Sequence, residues 1–110
     1  MKYVDLNNNI KIPMLGLGTY YLVGNECFNV VLKAIKEGYE LIDTAAWYNN
    51  EEYVGAAIKE SGKRKDLFIT TKISGCTDYD SAIRKIEESF NRLQLDYIDL
   101  VLIHWPEGNY

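Results

Sequence analysis

The sequence predicts an α/β fold, a parallel sheet with helices between its strands, preceded by a β-hairpin. Three observations carry that prediction. Apolar runs that end in polar residues recur at ELIDTAAWYNNE (40–51), DLFITTK (66–72) and YIDLVLIHWP (97–106). Stretches of helical apolar period separate them. Each separation has room for one crossover helix, which is how parallel strands are joined. An open doubly wound sheet and a closed eight-unit barrel both meet this pattern, and periodicity alone does not choose between them.

Residues 2–12 read as the hairpin. KYVDL and IKI are short extended runs, and Asn7, Asn8 and Asn9 tolerate the left-handed conformations of a tight turn. Pro13 is expected to end the pairing. MLGLGT (14–19) reads as a short buried first strand, with Gly16 and Gly18 marking a bend or a close backbone approach. The first helix is predicted over 26–37, where Phe28, Val31, Ala34 and Ile35 form an apolar stripe and Gly38 supplies the left-handed stop. The second strand follows at 40–44.

The second helix is predicted over 50–61. Asn49 or Asn50 caps it, Glu51 and Glu52 oppose the positive end of its dipole, and Gly62 ends it. Val54, Ala57 and Ile58 make its inner face. The third strand is expected at 67–72. The third helix is expected at 79–93, with Ile83, Ile86, Phe90 and Leu93 inward, and the fourth strand at 97–104. No linker divides the chain, so 1–110 reads as a single partial domain.

The chain has 110 residues and 47% apolar content, enough for one small core. A net charge of −4 argues against nucleic acid or an anionic membrane as a partner. Lys63, Arg64 and Lys65 read as a solvated turn. No signal peptide is visible at the N-terminus, and no run approaches the roughly 20 apolar residues of a membrane span. Cys27 and Cys76 are too few for a disulfide scaffold, and free thiols suit a reducing, cytoplasmic compartment. Cys76 reads as a small loop residue.

Chemistry concentrates in Asp43, Tyr48, Lys72 and His104, each at or just past the end of a strand. Both parallel architectures gather function at that end. Shared parity puts 41 and 43, 70 and 72, and 102 and 104 on one strand face each. A phenol gives up its proton reluctantly, with a pKa of about 10. An ammonium beside a phenol stabilises the phenolate, a carboxylate fixes the ammonium, and an imidazole can donate to a substrate oxygen. Such a set suits proton donation to a carbonyl, and a reduction would need a bound hydride donor.

Taken singly, each residue also has a plain structural reading. Asp43 and Lys72 could be a buried ion pair, His104 a core histidine, and Tyr48 a packing tyrosine. GLGT (16–19) lacks the third glycine and following helix of a dinucleotide fingerprint. One histidine and no Cys-x-x-Cys give no recognisable metal site.

The stretches IPMLGLGT (12–19), GYELIDTAAWYNNEEYVGAAI (38–58), FITTK (68–72) and LQLDYIDLVLIHWP (93–106) closely resemble the N-terminal part of the aldo-keto reductases. With the third helix, the resemblance covers essentially the whole chain. It implies the N-terminal half of a (β/α)8 TIM barrel, using NADPH (NADH as the alternative) to reduce aldehydes or ketones to alcohols. By position, Tyr48 resembles the proton donor, Lys72 and Asp43 the pair that tunes it, and His104 the residue that orients the carbonyl. Gly18, Thr19, Tyr20 and Asp43 fall where the family touches the nicotinamide half of the cofactor. Tyr20, Trp47 and Trp105 would wall a substrate pocket.

The chain departs from many members at Tyr20 and Ser74, where they carry tryptophan, and at Asn49, where they carry glycine. The resemblance stops after the fourth strand. The family's amide-binding Ser, Asn and Gln positions, its ring-stacking tyrosine and its basic phosphate loop lie on later strands. The expectation is therefore that the 110-residue chain alone is weakly active or inactive. The alternative is a non-catalytic half-barrel that self-associates through its apolar first and fourth strands or serves as an interaction module.

Overall fold

A computed structural model describes residues 2–106. Strands β1 (Tyr3–Asp5) and β2 (Lys11–Pro13) form the antiparallel hairpin. Pro13 does not end the pairing; it sits opposite Tyr3, and the next ladder bond runs from Met14 N–H to the Lys2 carbonyl at 2.8 Å. A proline is tolerated there because its missing N–H falls on the outward side of an edge strand.

The main sheet is parallel, in the order β3 (Leu17–Gly18), β4 (Leu41–Asp43), β5 (Phe68–Ile73), β6 (Leu100–Ile103). The first strand is much shorter than the run 14–19 predicts, and Met14 and Leu15 are exposed rather than buried. Gly16 explains the geometry there: a Cβ on it would lie 2.6 Å from Leu41 Cγ, so the backbone approaches too closely for any side chain. The fourth strand, Leu100–Ile103, is also shorter than 97–104; just before it the Tyr97 carbonyl and the Asp99 carboxylate accept from Arg64, while Asp99 N–H still donates to the Ile69 carbonyl at 3.1 Å.

Three helices cover one face of the sheet. Helix α1 spans Gly24–Lys36 and ends in a Schellman motif. There Gly38, at φ +105°, donates to the Ile35 carbonyl at 3.1 Å, and Tyr39 donates to that of Ala34 at 3.0 Å. Helix α2 spans Glu51–Ser61 and stops at the left-handed Gly62. Helix α3 spans Tyr79–Leu93 and starts with a capping box, Asp78 accepting from Ser81 N–H while the Ser81 hydroxyl accepts from Asp78 N–H. Cys27, Val31 and Ile35 of α1 and Val54, Ala57 and Ile58 of α2 pack on Ile42 and Ile69 of the sheet.

Residues alternate between the two faces of the sheet. Ile42 and Ile69 pair in register and face the helices, whereas Gly18, Asp43, Thr70, Lys72 and Leu102 share the opposite face. That face lines the inside of a half-barrel. Leu102 and Ile103 of β6 are 41% and 46% exposed, so the sheet is not covered throughout.

Candidate active site

The carboxyl ends of β4 and β5 place Asp43 and Lys72 on the same inner face. Lys72 lies one same-face step beyond Thr70, the register partner of Asp43. Its side chain reaches back, and Nζ donates to Asp43 Oδ2 at 2.6 Å and to the Thr44 carbonyl at 3.3 Å. A third contact runs to Tyr48 Oη at 3.4 Å. The Lys72 side chain is only 16% exposed, so its charge is held by the protein more than by water.

Tyr48 comes from a 3-10 turn, Ala46–Tyr48, closed by left-handed Asn49 at φ 57°. That turn carries the phenol back over the strand ends. His104 follows β6, its backbone N–H donating to the Ile73 carbonyl at 2.9 Å. Its ring meets that of Tyr48 edge-on at 5.6 Å between centroids. The structure thus brings Asp43, Tyr48, Lys72 and His104 together.

An ammonium has three N–H donors and no acceptor. The three Lys72 contacts therefore make Tyr48 Oη an acceptor, and its own hydrogen meets no acceptor among the described residues. Burial, and after it the charge of Lys72, hold His104 below the ordinary imidazole range, with Asp43 acting in the opposite sense. Its Nδ1 is enclosed without a hydrogen-bond partner among the described residues.

Aromatic rings wall the mouth. Trp105 stacks on His104 at 3.8 Å, Trp47 meets Trp105 edge-on at 5.5 Å, and Tyr20 lies 5.1 Å from Tyr48. Tyr20, Trp47 and Trp105 are all exposed, so they present faces to solvent instead of filling a core. Tyr21 joins them, stacked on Tyr20 at 4.0 Å, although no periodicity or motif singles it out in the sequence. Its φ of 69° is unusual for a bulky residue.

Gly18 is exposed, and a Cβ there would meet nothing within 4 Å, so its inner face opens on free space. Thr19 is fully buried, its N–H and hydroxyl both donating to the Asp43 carbonyl at 3.0 Å.

Three polar clusters depart from what the sequence predicts. Asn50 occupies the N-cap position of α2 but makes no side-chain cap. Its amide accepts from Thr44 Oγ1 at 2.7 Å and donates to the Thr19 and Leu22 carbonyls at 2.9 and 3.0 Å. Glu51 is not a solvated complement to the helix dipole; it is 1% exposed and accepts from Arg92 Nε at 2.7 Å and Thr71 Oγ1 at 2.6 Å. Its spacing to Val54 and Ile58, three and seven residues on, was the available signal, since it puts all three on one stripe.

Arg64 is not part of a solvated turn. It pairs with Asp99 at 2.8 Å, donates to the Leu67 and Tyr97 carbonyls, and stacks 3.7 Å over the Tyr97 ring.

The model of the aldo/keto reductase family matches residues 14–110. A glyoxal reductase of Bacillus subtilis is 51% identical over 106 residues, 94% of this chain and 38% of its own length. The glycerol 2-dehydrogenase (NADP(+)) of Saccharomyces cerevisiae is 47% identical over 106 residues, 96% of this chain and 34% of its own length. The crystal structure of an aldo-keto reductase from a Medee basin deep-sea metagenome superposes with a TM-score of 0.91 at 46% identity, over 96% of this chain and 39% of that one. The chain thus spans little more than a third of the relatives it matches.

Proposed function

The chain belongs to the aldo/keto reductase family, and on that ground we propose that its strand ends carry the proton-donating half of a carbonyl reductase site. The substrates would be small aldehydes or ketones and the products alcohols, with NADPH as the hydride donor and NADH as the alternative. A relative named for NADP(+) and another named for glyoxal support the cofactor and substrate class.

The observation that carries the reading is the three-way placement of Lys72, which leaves the Tyr48 hydroxyl hydrogen for an acceptor in the mouth. Tyr48 would give that proton to the carbonyl oxygen as negative charge develops on it. The phenolate left behind would face the Lys72 ammonium and recover its proton from water. Asp43 keeps the ammonium in place. A neutral His104 would offer a second hydrogen bond to the same oxygen, since its ring and Tyr48 border one space.

The open face of Gly18 and the exposed ring of Tyr20 fit a flat ring lying against the mouth, with Asp43 beside it. Thr19 would act behind them, through its bonds to Asp43. When bound, the nicotinamide would supply the hydride that the side chains lack. For these 110 residues by themselves, turnover is expected to be weak or absent.

A chimera tests the reading. Residues 14–106 replace the matching segment of the Bacillus subtilis glyoxal reductase, and NADPH consumption is followed with a reactive aldehyde. The chimera should turn over, and Tyr48→Phe should lower kcat by about 10²-fold or more. A Tyr48→Phe chimera as active as its parent would refute the proton-donor role.

A second reading rests on the two ends of the sheet. Strands β3 and β6 each have one neighbour among the described residues, and Leu102 and Ile103 are exposed on β6. In that reading the chain self-associates through these edges. Sedimentation showing a compact monomer at high concentration would sink it.

A further inference from the structure

We propose that Asn50 is a positioning residue of the site, a buried amide that locks the Tyr48 turn to the Asp43–Lys72 pair. The role of those three groups rests on the proposed function; the lock itself rests on hydrogen bonds.

Asparagine is among the best N-cap residues because its side chain can accept from the first helical turn. Asn50 forgoes that bond, and its amide is turned inward at 1% exposure. Both amide hydrogens and the carbonyl find partners on other segments. Nδ2 donates to the Thr19 carbonyl at 2.9 Å and the Leu22 carbonyl at 3.0 Å, while Oδ1 accepts from Thr44 Oγ1 at 2.7 Å. Thr19 in turn donates through its N–H and hydroxyl to the Asp43 carbonyl, and Lys72 Nζ donates to the Thr44 carbonyl and to Asp43 Oδ2. From Lys72 the path returns through Tyr48 Oη and one intervening residue to Asn50.

The path therefore closes on itself through the segments that follow β3 and β4, the carboxyl end of β5 and the turn before α2. A planar amide with its donors and acceptor in fixed directions sets the angles of that ring. Among the described residues, no other side chain hydrogen-bonds to both Thr19 and Thr44. Aspartate would lose both donors, alanine would lose everything, and glutamine would overshoot by one methylene. A planar group in this position keeps the phenol oxygen within reach of the ammonium.

His104 is the chain's one histidine, so its imidazole resonance reports the mouth without ambiguity. The charged and titratable groups around it are Lys72 from β5, Asp43 from β4 and Tyr48 from the turn, with the rings of Trp47 and Trp105 alongside. Loosening the ring of hydrogen bonds admits water and lets Lys72 withdraw, and both changes raise the His104 midpoint toward its ordinary value.

The experiment is an NMR pH titration of His104 in the parent chain, Asn50→Ala, Thr44→Val and Leu93→Ala. Asn50→Ala should move the midpoint up. Thr44→Val, of the same shape but without the hydroxyl that Asn50 accepts, should move it up by less. Leu93→Ala, a core deletion away from the mouth, should leave it where it is. If Asn50→Ala fails to fold, Thr44→Val decides the matter. An unmoved midpoint in the folded Asn50 or Thr44 variant overturns the inference, and so does an equal shift in Leu93→Ala. No turnover is read, so failure of the reductase reading would show separately, in the Tyr48→Phe chimera.

Discussion

Replacing Gly55 with alanine sets two effects of opposite sign against each other. In a helix interior, alanine is favoured over glycine by about 1 kcal/mol, so propensity alone predicts a more stable chain. Gly55, however, faces the end of α3. A Cβ on it would lie 2.7 Å from the Leu93 carbonyl carbon and 2.9 Å from its Cα, and closer still to its oxygen, where ordinary contact begins at 3.4 Å. The obstacle is backbone, so no rotamer relieves it.

The carbonyl carbon alone would have to retreat by the 0.7 Å between 2.7 and 3.4 Å, and the nearer oxygen by more. That retreat would loosen a fully buried leucine and the neighbouring Arg92–Glu51 bond of 2.7 Å. Overpacking of this kind costs about 1–3 kcal/mol, and an unyielding neighbour puts Gly55→Ala at the upper end. After the propensity gain, the net loss is about 1–2 kcal/mol, or roughly 5–15 °C in Tm for a domain of this size. Thermal unfolding followed by circular dichroism measures it. Ala56→Gly, at an exposed position in the same helix, isolates the propensity effect and should cost about 1 kcal/mol. A Gly55→Ala chain that melts at or above the parent would show that the helices have room, and the packing argument would fail.

Glu51→Ala should destabilise by about 2 kcal/mol, since it strips Arg92 and the buried Thr71 hydroxyl of their acceptor. Arg92 is 33% exposed and can turn to water, which keeps the loss below that of a fully enclosed pair; the shift in urea midpoint checks it. Burial pushes the Cys27 thiol up to about 11. The folded state then holds a proton that the unfolded state has released, so stability should fall as pH rises from about 9 to about 11. Cys27→Ala should flatten that fall, and a parent chain whose unfolding midpoint is constant over the window would contradict it.

The site was partly legible because strand period and strand ends are local properties. Asp43 and Lys72 each sit at an odd or even step that puts them on the inner face, and parallel register then brings them together. The departures involve polar groups whose partners lie far along the chain. Glu51 meets Arg92 across 41 residues, Arg64 meets Asp99 across 35, and Asn50 meets Thr19 across 31. A glutamate in a first helical turn or an arginine among lysines looks solvated until another segment encloses it.

The kind and order of the elements were already written in the chain, because apolar period and the Gly38 and Gly62 stops act within a few residues of each other. Which polar side chains went inside was settled by packing in three dimensions. Buried donors and acceptors are with few exceptions satisfied, and the partner is whatever the neighbouring strands and helices bring within about 3 Å. That is why the amide of Asn50 reaches inward to Thr19, Leu22 and Thr44 rather than capping its own helix.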